Sequence, residues 1–263
     1  MFPAVPYSRY IFGSLPWYSV LIVSGILICF ILCSREEKRL QLPQDTVLDL
    51  ALWVVPAGII GARTYYVAFE WKQFASDPIS ILQIWNGGLA IYGAVIGGAL
   101  AIFLFCWRKK TSPLLLMDMI APTLALAQSI GRWGNYFNME AYGGHITNPT
   151  WQFFPVGVLI PHGGVYDWHM ATFFYESVWD FSVFLVLWFI IRRKKERNGV
   201  VSLWYMLLYG TGRFFVEGLR TDSLMLGPLR VSQWLSAGLV LSAATILIVL
   251  GVLNRRAKAR EVK

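Results

Sequence analysis

The chain has 263 residues, of which 56% are hydrophobic and only 14% are charged, and its mean hydropathy is +0.53. Soluble domains carry about 25% charged residues, so this composition excludes an ordinary soluble domain and indicates a polytopic membrane protein. The formal net charge is +8. Its Lys and Arg residues cluster between apolar segments, which relates the charge to membrane topology and anionic lipid headgroups rather than to nucleic acid.

Apolar runs predict the membrane spans. A helix needs about 20 residues to cross a hydrocarbon layer of about 30 Å. Seven apolar runs lie at about 17–34, 47–69, 87–107, 113–130, 171–191, 200–217 and 231–253. The sequence therefore predicts an all-α polytopic integral membrane protein with seven transmembrane helices. Because no repeats or linkers interrupt it, we expect a single seven-helix membrane domain of residues 1–263, with an outer-side segment at about 131–170.

The distribution of basic residues predicts the orientation. The first, third and fifth connections and the C-terminal tail hold 16 of the 23 Lys and Arg residues. The N-terminus and the other connections hold five, namely Arg9, Lys72, Arg132, Arg220 and Arg230. Because cytoplasmic loops are enriched in Lys and Arg, we predict the N-terminus outside and the C-terminus in the cytoplasm. The first span is followed directly by basic residues, so we expect it to be retained rather than cleaved.

Charged residues within or beside the predicted spans are the main candidates for function. They are Arg63, Arg132, Glu176, Arg213 and Glu217. Tyr209, Arg213 and Glu217 are four residues apart and form one stripe on a helix, which Arg220 is expected to extend. Arginine at the middle of a span costs about 2.5–3.5 kcal/mol on insertion scales, so each one needs an acid or a bound anion.

Purely structural interpretations of these charges are open. Arg213 and Glu217 could neutralise each other, Glu176 could pair with an arginine in helix packing, and Arg63 could extend to the membrane surface. We expect cations to outnumber acids near the outer side of the helix bundle. Because the planar fork of arginine suits phosphate oxygens, that excess favours an anion site.

A polar, glycine-rich segment, residues 131–144, follows the fourth predicted span. It places Arg132, two amides (Asn135 and Asn138) and Glu140 close to the bilayer, where ionisable residues indicate a functional site. Further along the chain, the histidines and cysteines lack the spacing of metal ligands. Gly93 and Gly97 have the spacing that lets two helices pack closely.

Together these motifs resemble one bacterial family. Gly131-Arg132-x-Gly134-Asn135-x-x-Asn138-x-Glu140-x-x-Gly143 is similar to the signature of prolipoprotein diacylglyceryl transferase, a seven-span enzyme of the cytoplasmic membrane. Other motifs follow in the order expected of the family. They are Trp17-Tyr18, the segment 61–66, Trp85-Asn86-Gly87-Gly88, Phe174-Tyr175-Glu176-Ser177 and Tyr209-Gly210-x-x-Arg213-x-x-x-Glu217-x-x-Arg220.

The resemblance implies a lipid-transfer reaction. The diacylglyceryl group of phosphatidylglycerol would pass to the lipobox cysteine thiol of a preprolipoprotein, forming a thioether and releasing glycerol 1-phosphate. The site would have to hold the phosphate and stabilise the charge that grows on the leaving oxygen. The implied partners are these two substrates and membrane lipids, with no metal, no cofactor and no nucleic acid.

The resemblance also implies roles for individual residues. The catalytic residues would be Arg132, Arg213, Tyr92 and Glu140. The substrate-binding residues would be Arg132, Asn135, Gly143, Tyr18, Tyr209, Arg63, Glu217 and Arg220. In these roles Arg132 and Arg213 hold the phosphate, and Asn135 and Glu140 orient Arg132 or the lipid headgroup. Gly143 permits close backbone approach, and the tyrosine hydroxyls bind headgroup or phosphate.

Two positions depart from the family pattern. In many members a histidine that has been proposed as the base occupies the place of Tyr92. The family's His-Pro pair is here Met170-Ala171, with His169 displaced by one residue. Both departures affect the identity of the base that takes the thiol proton. Neither changes the arginines or the signature segment.

Two other functions compete with this one. A non-enzymatic seven-helix receptor or carrier for an anionic phospholipid would bind the lipid without consuming it, and the last span contains no lysine that could bind retinal. An enzyme that joins alcohols to nucleotide-activated lipids would need clustered aspartates for a metal. The spans carry only the isolated Asp118 and Asp180.

The orientation can be tested with single cysteines at Ser8, Thr147 and Asn198 in a cysteine-free background. Because most basic residues lie in the connections predicted to be cytoplasmic, an impermeant thiol reagent added to intact cells should label the first two positions and not the third. Labelling of the third position after permeabilisation is the control. Labelling of that position in intact cells would contradict the predicted orientation.

Overall fold

The computed structural model describes residues 8–162, 164–195, 197–221 and 225–261, and most of them are helical. The α-helices, in chain order, are α1 (Trp17–Arg39), α2 (Thr46–Phe69), α3 (Trp71–Phe74), α4 (Ile91–Lys109), α5 (Pro113–Asn138), α6 (Thr172–Leu185), α7 (Arg192–Lys194), α8 (Val200–Leu219) and α9 (Val231–Glu261). A π-helical stretch, Val186–Ile191, continues α6 into α7. The predicted all-α class is therefore confirmed at this coarse level.

Three antiparallel two-stranded hairpins connect some of the helices. The strands are β1 (Tyr10–Ile11), β2 (Leu15–Pro16), β3 (Gly157–His162), β4 (Val165–Met170), β5 (Met225–Leu226) and β6 (Leu229–Arg230). The longest hairpin, β3–β4, pairs Gly157 with Met170 and leads directly into α6. Sequence periodicity did not predict these strands, because two of the three hairpins have strands of only two residues.

Six helical segments of the described chain are long and apolar enough to cross a membrane. They are Trp17–Arg39, Thr46–Phe69, Ile91–Lys109, Pro113–Asn138, Thr172–Lys194 and Val231–Ala257. The sixth predicted span corresponds to α8, which has 20 residues but carries Arg213 and Glu217 and is less apolar than these six. A multi-pass membrane protein is thus supported, while the number seven and the orientation stay predictions.

Two helix boundaries differ from the predicted ones. Helix α5 continues to Asn138, eight residues past the predicted end, so most of the glycine-rich signature is helical. It ends where Met139 and Ala141 adopt positive φ angles of 52° and 57°. Helix α4 begins at Ile91 rather than near 87, because Gly87 and Gly88 have φ angles of 86° and 73°, which a right-handed helix excludes.

The chain divides into two compact units. The first contains the described residues up to Cys29 and from Ile120 onward, and the second runs from Phe30 to Met119. In the first unit, an aromatic core joins the end of α5 to hairpin β3–β4 and the start of α6. Its buried members are Tyr136, Val158, Ile160, Ala171 and Phe173. This core supports the turn in which α5 ends.

In the second unit, α2 packs closely against α4. A Cβ atom built on Gly61 would collide with the carbonyl oxygen of Gly93, and one built on Gly97 would collide with the carbonyl oxygen of Ala57. The two backbones therefore touch at the glycines, as the spacing of Gly93 and Gly97 predicts. At the other end of these helices, Trp53 meets the edge of the Phe105 ring at 6.1 Å.

We predict that Gly93→Ala destabilises the protein by about 1–3 kcal/mol, because the added methyl group overlaps the carbonyl of Gly61 and forces the two helices apart. Gly251→Ala in α9 is the matched control, since its added Cβ has no neighbour within 4 Å and alanine is the better helix former by about 1 kcal/mol. The measurement is the midpoint of thermal unfolding in detergent. A Gly93→Ala midpoint at or above that of the unmodified protein would contradict the packing.

Candidate functional site

A chain of buried ion pairs joins three helices of the first unit. Arg132 Nη2 lies 2.5 Å from Glu176 Oε1. Arg213 Nη1 donates to the same Oε1 at 3.0 Å and to Oε2 at 3.1 Å. Arg213 Nη2 lies 2.6 Å from Glu217 Oε2. We call these four residues the arginine–glutamate cluster.

The cluster is withdrawn from solvent. The side chains of Glu176 and Glu217 are 3% and 4% exposed, and those of Arg132 and Arg213 are 20% and 16% exposed. Buried charges require partners, and loss of one partner costs about 3–5 kcal/mol. Arg132 is near the end of α5, Glu176 is in the second turn of α6, and the other two lie one turn apart on α8. The packing of these three helices brings the four side chains together.

Hydrogen bonds between α5 and α6 fix the helices that carry the cluster. Ser129 Oγ donates to the backbone oxygen of Ser177 at 2.8 Å, and Ser177 Oγ donates to the backbone oxygen of Ser129 at 2.9 Å. Trp133 Nε1 donates to Ser177 Oγ at 3.1 Å. The small hydroxyl side chains thus allow close approach of the two helices and orient Arg132 toward Glu176.

Two tyrosines of α8 lie beside the cluster. The rings of Tyr205 and Tyr209 stack with centroids 5.4 Å apart, and the hydroxyl of Tyr205 donates to Gln128 Oε1 at 3.0 Å. Tyr209 interacts electrostatically with Arg132, Glu176 and Arg213. The predicted stripe of Tyr209, Arg213 and Glu217 is therefore present on one helix.

The remaining polar residues of the signature form a second group. Asn135 Nδ2 and Asn138 Nδ2 donate to Glu140 Oε1 at 3.0 and 3.1 Å, and Arg9 Nε donates to Asn138 Oδ1 at 3.0 Å. Asn135 and Glu140 bind each other while Arg132 pairs with Glu176. Of the two predicted roles, orienting Arg132 or orienting the lipid headgroup, the second stays a prediction.

Tyr18 lies between the cluster and this second group. Its ring occupies the space that a Cβ atom at Gly134 would need, so a glycine is required at that position in α5. Tyr18 also interacts electrostatically with both Glu140 and Arg132. Tyr18 is therefore near the charges of the signature, and a bond from its hydroxyl to headgroup or phosphate stays a prediction.

Gly143 approaches other backbone atoms closely, whereas Arg220 does not lie on the helical stripe predicted for it. A Cβ atom at Gly143 would meet Thr172 Cγ2 at 2.8 Å and the backbone oxygen of Leu219 at 2.9 Å, so the close backbone approach is to the protein itself. Arg220 follows the last residue of α8 with an extended backbone and forms a β-bridge with Gly143. It therefore does not extend the helical stripe, because the helix ends before it.

Arg63 lies in the second unit, where backbone carbonyls occupy its guanidinium group. Its Nε donates to Ile81 at 2.8 Å, Nη1 donates to Gly87 and Gly88 at 2.8 and 2.9 Å, and Nη2 donates to Ser80 at 2.7 Å. These bonds tie α2 to the connection before α4 and explain why the motifs at 61–66 and 85–88 occur together. The structure thus supports the purely structural interpretation of Arg63, and the substrate contact implied by the resemblance stays a prediction.

Tyr92 also belongs to the second unit. It lies in the first turn of α4, is 41% exposed, and has its ring centroid 6.2 Å from that of Tyr65. Its role in the reaction stays a prediction.

Two acidic residues have positions that the sequence analysis did not assign to them. Glu176 was a candidate because of its place in an apolar span, and the structure makes it the shared partner of both arginines. Asp180, isolated in the sequence, lies one turn further along α6, is 1% exposed, and has no hydrogen-bond partner for either carboxylate oxygen among the described residues. Within the cluster the two arginines face two glutamates, Glu176 and Glu217, so cations are not in excess there. The expected excess over the outer side of the bundle stays a prediction.

Comparisons with known proteins agree with the motifs. A family model described as prolipoprotein diacylglyceryl transferase matches residues 8–249. The chain is 45% identical over 242 residues to the phosphatidylglycerol–prolipoprotein diacylglyceryl transferase of Limosilactobacillus reuteri (strain DSM 20016), covering 89% of this chain and 86% of that protein. The proteins of the same name from Streptococcus agalactiae serotype V and Gloeobacter violaceus are 42% and 44% identical. The first match covers 89% of this chain and 91% of its relative, and the second 93% and 91%.

We predict that Arg63→Lys accelerates amide hydrogen exchange across residues 80–88 by about tenfold or more, because an ammonium group cannot replace four donated bonds and each bond to a charged group contributes about 1.5–3 kcal/mol. Lys72→Ala, which removes an exposed cation of α3, is the control and should leave exchange unchanged. The measurement is hydrogen exchange followed by mass spectrometry in detergent. Unchanged protection in Arg63→Lys would contradict the structural role.

Proposed function

Because the chain belongs to the prolipoprotein diacylglyceryl transferase family, we propose that its arginine–glutamate cluster is the site that holds the phosphate of the lipid substrate. The protein is an enzyme that transfers a diacylglyceryl group from phosphatidylglycerol to prolipoproteins, the first step of lipoprotein maturation. One observation carries the proposal: Arg132 and Arg213 from different helices converge on a single oxygen atom, Glu176 Oε1. Two guanidinium groups in this arrangement are suited to a phosphate.

The reaction that we propose is a displacement at carbon. The thiol sulfur of the lipobox cysteine forms a bond to the glyceryl carbon that carries the phosphate, the bond between that carbon and the phosphate oxygen breaks, and the thiol proton is released. The products are a thioether and glycerol 1-phosphate. Negative charge grows on the phosphate oxygen as the bond breaks, so guanidinium groups at the phosphate lower the barrier by stabilising the transition state.

The second polar group of the signature is the proposed site of the glycerol headgroup. Asn135, Asn138 and Glu140 offer amide donors and a carboxylate acceptor within one hydrogen-bonded set. Hydroxyl groups of a glycerol bind such mixed donors and acceptors. Tyr18 lies beside Glu140 and Arg132, so we assign it to the junction of headgroup and phosphate.

Tyr92 is proposed to position a substrate by hydrogen bonding rather than to act as the base. A free cysteine is already a few per cent ionised near pH 7 and is strongly nucleophilic as the thiolate. The reaction therefore does not require a phenol to take the thiol proton. The partial exposure of Tyr92 supports a ligand contact of this kind.

We further propose that α8 is the seventh membrane span, that the N-terminus lies outside and that the protein resides in the bacterial cytoplasmic membrane. The two charged side chains of α8 are both paired: Arg213 binds Glu176 on α6 and Glu217 one turn away on α8. This pairing removes most of the free-energy cost of placing them in a membrane. The distribution of 16 of the 23 basic residues supports the orientation. A lipid receptor that leaves its ligand intact is not favoured, because the family and the relatives are transferases.

We predict that Arg132→Ala and Arg213→Ala each lower turnover at least about tenfold, the effect of losing about 1.4 kcal/mol of transition-state stabilisation. Lysine should restore little activity, because it lacks the planar fork. The assay combines purified enzyme, labelled phosphatidylglycerol and a lipobox peptide, and measures lipidated peptide.

Two controls accompany this assay. A peptide with serine in place of the cysteine should not be lipidated. Lys109→Ala removes a cation that pairs with Asp49 at 2.7 Å on the surface of the second unit and should turn over normally. Normal turnover of either arginine-to-alanine variant at matched protein level would exclude that arginine from the phosphate site.

A further inference from the structure

One carboxylate oxygen occupies the point at which the two arginines meet. Glu176 Oε1 is 2.5 Å from Arg132 Nη2 and 3.0 Å from Arg213 Nη1. These are the distances of charge-assisted hydrogen bonds. An oxygen of a phosphate that contacts both guanidinium groups at once would have to lie at this same point.

We infer that Glu176 is a resident substitute for the substrate phosphate and that phosphatidylglycerol binds by displacing its carboxylate from both arginines. The inference rests on the proposed phosphate site. A phosphate and a carboxylate cannot share the position, because two like charges in a poorly solvated site repel each other strongly. Glu176 is only 3% exposed, so solvent does little to screen that repulsion.

The second glutamate has a different part. Glu217 binds Arg213 Nη2, and Glu176 binds Arg213 Nη1. When the carboxylate of Glu176 leaves, Arg213 therefore keeps a partner and its orientation. Among the described residues, Glu176 is the acceptor to which Arg132 binds. The guanidinium group of Arg132 would therefore lose its partner when Glu176 leaves, unless the phosphate takes its place.

The exchange has a consequence for both ends of the reaction. The arginines are paired before the lipid binds and after the product leaves, so the site is never left with two unpaired buried charges. Return of the Glu176 carboxylate also competes with bound glycerol 1-phosphate and favours its release. Loss of that carboxylate should therefore strengthen the binding of substrate and product alike, whereas loss of a merely structural ion pair would weaken it.

The test measures equilibrium binding of acyl-fluorescent phosphatidylglycerol in detergent micelles without peptide, so that no turnover occurs. Glu176→Gln keeps the side-chain shape and should bind phosphatidylglycerol about five- to tenfold more tightly, because a neutral amide competes less well for charged donors. Competition with glycerol 1-phosphate gives the dissociation constant of the product. This constant should be lower for Glu176→Gln than for the unmodified protein by a similar factor. Fluorescent diacylglycerol, which lacks the phosphate, should bind all variants equally.

Glu217→Gln is the matched control. It removes an equally buried carboxylate that binds Arg213 Nη2 and does not occupy the point shared by the two arginines. Tighter binding in Glu176→Gln alone supports displacement. Equal tightening in both variants would show a general charge effect and overturn the inference, as would unchanged or weaker binding in Glu176→Gln.

Two further variants separate this inference from the proposed phosphate site. Arg132→Ala and Arg213→Ala should bind phosphatidylglycerol at least about tenfold more weakly. If they bind it normally, the phosphate site itself is wrong; if they lose binding while Glu176→Gln gains none, only the displacement is wrong. If Glu176→Gln does not accumulate as folded protein, Glu176→Asp provides the same test, since its shorter side chain withdraws the carboxylate and should also tighten binding.

Discussion

A guanidinium group inside an apolar helix bundle has to be paired, and in the first unit this constraint determines how three helices meet. Arg132 on α5 and Arg213 on α8 share the carboxylate of Glu176 on α6. The serine contacts link α5 to α6, and the hydrogen bond from the Tyr205 hydroxyl to Gln128 links α8 to α5. Because each pair is buried, removal of any one member leaves an uncompensated charge.

In the second unit, the buried guanidinium group of Arg63 is paired with neutral backbone carbonyl groups rather than with acids. Arg63 is surrounded by backbone carbonyl oxygens of the segment that leads into α4, and its ring neighbour Phe74 lies 5.0 Å from the guanidinium carbon. Those carbonyls belong to short turns whose oxygens would otherwise lack partners. Arginine is thus used in two ways: in one unit it holds a backbone segment in place, and in the other it forms ion pairs with buried glutamates.

An anion site in a membrane enzyme must be stable both with and without its ligand. A pair of unpaired arginines would be costly when empty, while a fully neutralised pair would bind phosphate poorly. The proposed displacement of Glu176 would reconcile the two requirements, because the glutamate neutralises the empty site and would yield to a ligand that offers more acceptor oxygens. In the same proposal, the amides of Asn135 and Asn138 and the carboxylate of Glu140 would bind the glycerol headgroup and so favour the lipid over other anions.

The sequence by itself determined the membrane class, the positions of most helices and the family, because these depend on apolar run lengths and on motifs that are contiguous in the chain. It also placed Tyr209, Arg213 and Glu217 on one helix face, since helical spacing is local. Which carboxylate pairs with which arginine was decided only by the tertiary structure. Residues 132, 176 and 213 are far apart in sequence, and their contact depends on how α5, α6 and α8 pack. For the same reason the tertiary structure alone showed that Arg63 binds backbone carbonyls and that Gly143 approaches Thr172 and Leu219.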